Sequence, residues 1–372
     1  MAEKKSRRRP PNGRSPRNKQ GPPLYAAVDL GTNNCRLLVA APSRGGFTVV
    51  DSHSQIARLG EGLAQTGRLS DAAMDRAFNA LEAIAKKLKA KRVGRIRCIA
   101  TEACRKAENG PEFINEIRER TGLTFKIIGA QEEARLALIG CHNLIHPDAS
   151  DILVLDIGGG STELSLVDAA KAREAGLNGM LKRAPIKAWT SIPYGVVTLT
   201  EAFAGMDEAE AWPKMRALIG EHVDAWAEKH KVREALSAPG AHIIGTSGTV
   251  TCVAGVNFGL PRYRRDLVDG KWMERDSCQV TMDELIKAGP EGRAEFPTIG
   301  EERAGLMLAG CALMEAVWDL APQARMRVAD RGLREGLLLS MMRGPKKKRR
   351  RRGGRKRTGS EAAGEAQMEA KS

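Results

Sequence analysis

Leu24-Tyr-Ala-Ala-Val-Asp29-Leu-Gly31-Thr-Asn-Asn-Cys-Arg-Leu-Leu-Val39 reads as a strand, a turn and a second strand. Ile152-Leu-Val-Leu-Asp156-Ile-Gly158-Gly-Gly-Ser-Thr-Glu163-Leu-Ser-Leu-Val167 repeats the pattern. Each copy has an apolar run ending in Asp, one hydrophobic residue, Gly, small polar residues and a further apolar run. The two aspartates stand 127 residues apart, about one domain. Two strand–Asp–turn–strand units at that spacing predict a duplicated α/β architecture with two similar lobes.

The unit suits phosphate. Glycine lets main-chain N–H groups approach an oxyanion without a Cβ in the way, and consecutive amides form an anion-binding concavity. The candidate donors are Gly31, Thr32, Asn33 and Asn34 in one copy, and Gly158, Gly159, Gly160 and Ser161 in the other. Asp29 and Asp156, at the strand ends, face the same turns and can hold Mg²⁺ directly or through water. One copy alone would read as an ordinary Gly-rich hairpin; two facing copies read as a clamp on a phosphoryl group. A third turn, Gly245-Thr246-Ser247-Gly248-Thr249, is phosphate-compatible, although its hydroxyls equally suit capping of a following helix.

Around these units the chain alternates helices and strands. Ser70 caps a predicted helix to about Lys89, with Ala73, Ala77, Leu81, Ile84 and Leu88 at helical spacing. Arg95–Ala100 and Phe125–Ile128 read as strands, and Pro111–Arg120 and Gln131–Ile145 as helices. Ala169–Pro185 reads as a polar loop or hairpin, Gly300–Leu320 as one long helix and Arg331–Met342 as the last helix.

Charge is unevenly spread. The 372 residues carry a formal +15, yet residues 24–342 sum to about −1. Residues 1–23 hold eight Lys/Arg against Glu3 alone, and residues 343–372 hold twelve against three Glu. Both tails are low-complexity and are expected to be disordered. No window approaches 18 apolar residues, and no apolar stretch follows the basic start as in a signal peptide. The expectation is a cytoplasmic protein with no membrane partner. Seven cysteines without a CxxC point to reduced thiols packed as small hydrophobes. Cys141, His142, His146 and Asp148 form the one local metal-like cluster, but Pro147 ends its helix and no second Cys/His pair has zinc spacing.

The motifs taken together resemble the exopolyphosphatase and guanosine pentaphosphate phosphohydrolase (Ppx/GppA) family, within the actin, sugar-kinase and heat-shock ATPase superfamily. The resemblance spans nearly all of residues 24–342. It rests on the two units above and on Ala100-Thr-Glu-Ala-Cys-Arg-Lys-Ala-Glu-Asn109, Gly129-Ala-Gln-Glu-Glu-Ala-Arg-Leu136 and Gly245-Thr-Ser-Gly-Thr249. Glu302-Arg-Ala-Gly-Leu-Met-Leu-Ala-Gly310 and Asp330-Arg-Gly-Leu-Arg-Glu-Gly-Leu338 complete it. Each motif is weak alone; seven in order are specific. Many members carry Ser where this chain has Asn34, so an amide replaces one hydroxyl contact.

The resemblance implies two actin-like (ribonuclease H-like) lobes around an inter-lobe cleft. Lobe I would span 24–130, lobe II 131–327, and a last helix near 328–342 would pack back on lobe I. It implies hydrolysis of the terminal phosphoanhydride of inorganic polyphosphate, with guanosine pentaphosphate as the alternative substrate. Glu133 would activate the attacking water, with Glu132 as its neighbouring alternative. Asp29, Asp156 and Glu163 would serve Mg²⁺, and Arg105 would grip phosphate with its guanidinium fork. Thr246 and Ser247 would add hydroxyl contacts, whereas Arg331 and Arg334 read as structural ties. No histidine follows His242, so the metal-dependent HD domain of longer members is not expected, and a homodimer is the family expectation. A sugar kinase would lack the Glu-Glu-Ala segment, and a chaperone ATPase would be expected to carry a substrate domain after the lobes, where a basic tail is read instead. The tails tilt the reading toward a long polyanion, whose distal part they would hold. Without interleaved aromatics they also suit unselective nucleic-acid contact.

Overall fold

The computed structural model of the chain describes residues 22–343. The two tails read as disordered lie outside the described residues, apart from Pro22, Pro23 and Arg343. Two sheets organise the body. The first contains β1 (Tyr25–Leu30), β2 (Asn34–Ser43), β3 (Gly46–Ile56), β4 (Arg95–Ala100) and β5 (Phe125–Ile127), in the order β3-β2-β1-β4-β5. The second contains β6 (Asp151–Ile157), β7 (Thr162–Asp168), β8 (Ile186–Ile192), β9 (His242–Thr246), β10 (Trp272–Met273) and β11 (Met326–Ala329). Its order, β8-β7-β6-β9-β11, is the same as that of the first sheet, with β10 added at the edge.

The repeat holds down to register. β1 and β2 form an antiparallel hairpin in which Asp29 faces Arg36, and β6 and β7 form one in which Asp156 faces Glu163. The Gly31 N–H donates to the Asn34 carbonyl and the Gly158 N–H to the Ser161 carbonyl, both at 2.9 Å. β1 runs parallel to β4 and β6 parallel to β9, so Asp29 and Asp156 stand at equivalent strand ends. This is the duplicated actin-like fold.

Four helices position the site. α1 (Asp71–Ala90) starts where the Ser70 hydroxyl accepts from the Ala73 N–H, and buries Ala73, Ala77, Leu81, Ile84 and Leu88. That stripe packs with Ala26, Val28 and Leu30 on one face of β1. The opposite face of the sheet, with Ala27, Leu38 and Ile99, packs against Leu136 of α2 (Ala130–Cys141). α3 (Val196–Ala202) follows β8. α4 (Leu333–Arg343) follows β11 and returns to the first sheet, placing Leu337 and Leu338 in the same cluster. Leu138 and Cys141 of α2 instead join Ile152 and Val154 of the second sheet, so α2 serves both cores. α2 and α4 cross closely. A Cβ on Gly336 would sit 2.0 Å from the Leu136 carbonyl oxygen, and one on Gly140 would sit 2.0 Å from that of Gly332.

Three predicted elements differ. Ala169–Lys182 is a helix rather than a loop or hairpin, capped by Asp168, which accepts from the Lys171 N–H at 2.9 Å. Gly176, at φ 55°, interrupts it and leaves only Ala169, Ala172 and Met180 buried, too short a stripe to show in the sequence. The long helix over 300–320 is two, Glu301–Ala304 and Met307–Trp318. The helix over 131–145 stops at Cys141, and a single 3₁₀ turn follows. All seven cysteines are buried and unpaired. Among the described residues, no helix is long and apolar enough to cross a membrane.

Candidate active site

The two hairpin turns meet between the lobes. Each has its carbonyls tied from behind. The carbonyls of Thr32 and Asn33 accept from the N–H groups of Gly60, Ala57 and Arg58, and those of Gly158 and Gly159 accept from Val196, Val197 and Thr198. The planar trans peptide puts N–H opposite C=O, so the next N–H groups, on Asn33, Gly159 and Gly160, turn away from these ties. The turns touch. A Cβ on Gly160 would lie 2.7 Å from Thr32 Oγ1 and 2.9 Å from Glu102 Cγ, so only glycine lets the loops approach this far. α3 starts here with its first N–H groups spent on the glycine turn, which fixes that turn before any ligand arrives.

The turns open onto a cavity of about 580 Å³. Asp29, Glu133, Asp156 and Glu163 line it together, with Glu102 beside them. Asp29 and Glu133 are each 8% exposed and Glu163 is 2% exposed. Burial raises the pKa of Glu133 well above the carboxylate range, and the nearby Glu163 adds to the effect against Arg105. Burial, then Glu163, lifts Asp156 to about 7. Burial lifts Glu163 to about 7 although the Ser161 and Ser191 hydroxyls donate to it at 2.7 and 2.9 Å. Asp29 Oδ1 is buried without a hydrogen-bond partner, and burial raises the Asp29 pKa against the pull of Arg36. Burial outweighs the counter-charge these carboxylates receive from Arg36, Arg105 and Arg334. Such a site calls for a cation or a proton.

Cations line the other part of the cleft. Arg36, Arg303 and Arg334 all face it. Among the described residues Arg36 and Arg334 make no ion pair, and Arg303 donates only to the Cys252 sulfur at 3.3 Å. Burial and then Arg334 hold the Arg36 pKa down, and Arg303 contributes further. Three guanidiniums within each other's field and without carboxylate partners are arranged for an anion.

The predicted residues fall into three groups. Asp29, Glu133, Asp156, Glu163 and both turns, Gly31 to Asn34 and Gly158 to Ser161, line the one cleft. Thr246 and Ser247 line it too, but their hydroxyls have internal partners. Thr246 donates to the Arg331 carbonyl at 2.8 Å, and Ser247 accepts from the Val250 N–H at 3.3 Å as a helix cap. Arg105 is absent from the cavity wall, because its fork is occupied by Glu102, by Glu133 Oε2 at 3.3 Å and by the Ile128 carbonyl at 2.7 Å. Glu132 turns to Arg135, which donates to it at 2.6 and 2.8 Å, so the two neighbouring acids part ways. Arg331 and Arg334 both line the cleft; Arg331 is bound to Asp269 at 3.0 and 3.1 Å, whereas Arg334 makes no ion pair among the described residues. Arg36, Arg303 and Tyr263 are cleft residues that the sequence reading missed. For Arg36 a signal existed: aligning the two units puts it opposite Asp29, where Glu163 stands opposite Asp156.

A duplicated actin-like body with facing glycine turns, a buried acid cluster and unpaired arginines defines a phosphate-handling protein of the two-lobed class. Comparison with known sequences makes this specific. The Ppx/GppA phosphatase family matches residues 38–344, and the chain belongs to that family. It is 28% identical over 321 residues to the guanosine-5'-triphosphate,3'-diphosphate pyrophosphatase of Aeromonas hydrophila. That match covers 86% of this chain, which spans 60% of the relative's length. Among solved structures, the Aquifex aeolicus Ppx/GppA family member superposes with a TM-score of 0.69 at 26% identity, over 86% of this chain and 97% of that one. An exopolyphosphatase-like protein superposes at 0.74 with 28% identity, over 86% and 99%.

Proposed function

We propose that this chain hydrolyses the terminal phosphoanhydride of inorganic polyphosphate, releasing orthophosphate by in-line attack of water. The observation that carries this reading is the cleft itself, where N–H-lined turns and unpaired arginines meet a buried carboxylate. The arginines and turns bind and orient the terminal phosphoryl group. Glu133, desolvated and braced by Arg105, accepts a proton from the attacking water, and its raised pKa makes it a stronger base than an exposed carboxylate. Glu163, held by Ser161 and Ser191, orients polar groups beside it.

Mg²⁺ fits the donor set. Among the described residues no three His, Cys, Asp or Glu side chains converge into a protein-only metal cage. Asp29, Asp156 and Glu163, the residues expected to serve Mg²⁺, line the same cleft. Mg²⁺ keeps water and is ordinarily held by one or two carboxylates plus substrate phosphate. The partnerless Asp29 Oδ1 and the desolvated Asp156 are the carboxylates that would hold it. When bound, the ion neutralises charge on the phosphoryl oxygens. Asp29→Asn and Asp156→Asn are each expected to raise the Mg²⁺ needed for half-maximal orthophosphate release by about tenfold or more. A titration overlaying that of wild type would remove that aspartate from the site.

A pH effect on stability follows. Asp156 and Glu163 have ordinary values of 3.8 and 4.5 and stand near 7 in the fold. A raised acid pKa means the folded state holds the proton more tightly. The resulting stability is full below the ordinary values and is lost as pH rises through about 7. His242, pushed down to about 4 by burial, acts oppositely, but its contribution is complete above its ordinary 6.5. Between about pH 6.5 and 8, metal-free wild type should therefore lose melting temperature faster than Asp156→Asn. Parallel melting curves for the two proteins would reject the raised acidity of the cluster.

Guanosine pentaphosphate is the second reading, supported by the likeness to the Aeromonas guanosine-5'-triphosphate,3'-diphosphate pyrophosphatase and by Tyr263 in the cleft wall. The deciding experiment is orthophosphate release with Mg²⁺ from long-chain polyphosphate, guanosine pentaphosphate and ATP side by side. Faster release from polyphosphate supports the first reading, and faster release from guanosine pentaphosphate supports the second. Activity confined to ATP would defeat both.

A further inference from the structure

Residues 86–97, Lys-Lys-Leu-Lys-Ala-Lys-Arg-Val-Gly-Arg-Ile-Arg, hold seven Lys/Arg and no acid. They form the end of α1, a turn and the start of β4. Lys86, Lys89, Lys91, Arg92 and Arg95 are exposed. Few acids face them. Asp51 of β3 pairs with Lys87 and Lys91 at 3.8 and 3.3 Å. Glu82, one turn earlier, makes no ion pair among the described residues, and Glu132 is held by Arg135. Lys86, Lys89, Arg92 and Arg95 have no carboxylate within 4.0 Å among the described residues. Arg92 adopts φ 51°, a left-handed conformation that glycine would take more cheaply.

The fold brings both chain ends to this pole. The Leu24 carbonyl accepts from the N–H groups of Gly94 and Arg95 at 3.0 and 3.3 Å. At the other end, Arg97 donates to the Ser340 hydroxyl at 2.9 Å, three residues before Arg343. The chain outside the described residues therefore begins at the same pole on both sides. It carries eight Lys/Arg in residues 1–21 and eleven in residues 344–372. Neither arrangement is local in sequence.

We infer that this pole of lobe I is a binding surface for the phosphate backbone of single-stranded RNA. The charge density suits a polyanion. Ile96 is the one large apolar side chain exposed in the segment, at 41%. That is too little for the apolar centre of a protein interface or for insertion into a lipid surface. Tyr25, the nearest aromatic, already lies under the Arg95 guanidinium at 5.7 Å, so bases find no free stacking platform and contact is with phosphates. The pole also lies at the opposite end of β1 from Asp29, roughly 13 Å away at the rise of a strand. A polymer held there is not aligned with the cleft, which favours a polyanion that is bound rather than consumed.

The test is fluorescence anisotropy of the full chain with a labelled mixed-sequence RNA 20-mer, across a salt series. Wild type is expected to bind in the micromolar range near physiological salt. Lys86→Gln, Lys89→Gln, Arg92→Gly and Arg95→Gln combined should weaken binding at least tenfold. The slope of log affinity against log salt should fall by about 3. None of the four touches the cleft, so orthophosphate release should be unchanged and reports an intact fold. Arg92→Gly alone relieves a left-handed arginine, should melt no lower than wild type, and should still weaken RNA binding measurably. Unchanged affinity in both variants would assign any binding to the tails and overturn the inference, as would absence of RNA binding by wild type. Variant-sensitive binding of long-chain polyphosphate at salt concentrations where RNA does not bind would give the surface to the other polymer and also overturn it.

Discussion

Glu133→Gln is expected to lower turnover by about two to four orders of magnitude, the usual loss on removing a general base. The melting temperature should hold. The amide is nearly isosteric, and its oxygen still accepts from Arg105, which now donates to Glu133 Oε2. The substitution also removes a carboxylate whose ionisation burial opposes, so nothing in the folded state is lost except the ability to take a proton. Substrate affinity should change little, since the turns and Arg36, Arg303 and Arg334 remain in place. Wild-type turnover would move the role elsewhere. Glu132 could not take it, because it faces Arg135 instead of the cleft. Asp156 and Glu163 would be the next candidates. The pH profile gives an independent readout. A base must be deprotonated to act, so wild-type activity should rise with pH through a value well above the ordinary 4.5. The variant's residual activity should lack that limb.

The sequence was most legible where chemistry and topology coincide. Both hairpins announce themselves through Asp29 and Asp156, because a strand end, a glycine turn and a return strand leave a local pattern. Sheet order then follows from repetition. Helix signals failed where glycine interrupts the apolar stripe, as at Gly176, or where Gly305 and Leu306 separate two short helices inside one apolar run. The site was half legible. Its acids sit in or next to the motifs; Arg303 and Arg334 also lie in quoted motifs, but on helices far along the chain where no local pattern shows that their side chains enter the cleft. Arg105 shows the opposite failure. Its residue type suited phosphate, yet the helical turn beginning at Glu102 puts an acid three residues before it, and α2 brings Glu133 alongside. A guanidinium with two carboxylate partners is a brace before it is a binder.

Arg36→Gln is expected to reduce kcat/KM by about two to three orders of magnitude, comparable to loss of one preorganised donor to transition-state charge. The argument rests on what Arg36 lacks. It has no ion pair among the described residues, is half-buried on β2 opposite Asp29, and shares its field with Arg334 and Arg303. Asp29 and Asp156 offset only part of the cost of burying Arg36 beside two charges of the same sign, and an arriving anion offsets more. That arrival is what the cleft is arranged for, and the cost borne by the empty site is recovered on binding. Orthophosphate should therefore raise the melting temperature of wild type, and Arg36→Gln should lose most of that rise. Arg105→Gln offers the contrast. Its fork already serves Glu102 and Glu133, so it should lose turnover while keeping the orthophosphate-induced rise. If both variants lose the rise equally, Arg105 shares the phosphate after all. If neither loses it, the anion sits on the turns alone, and the three unpaired arginines need another explanation.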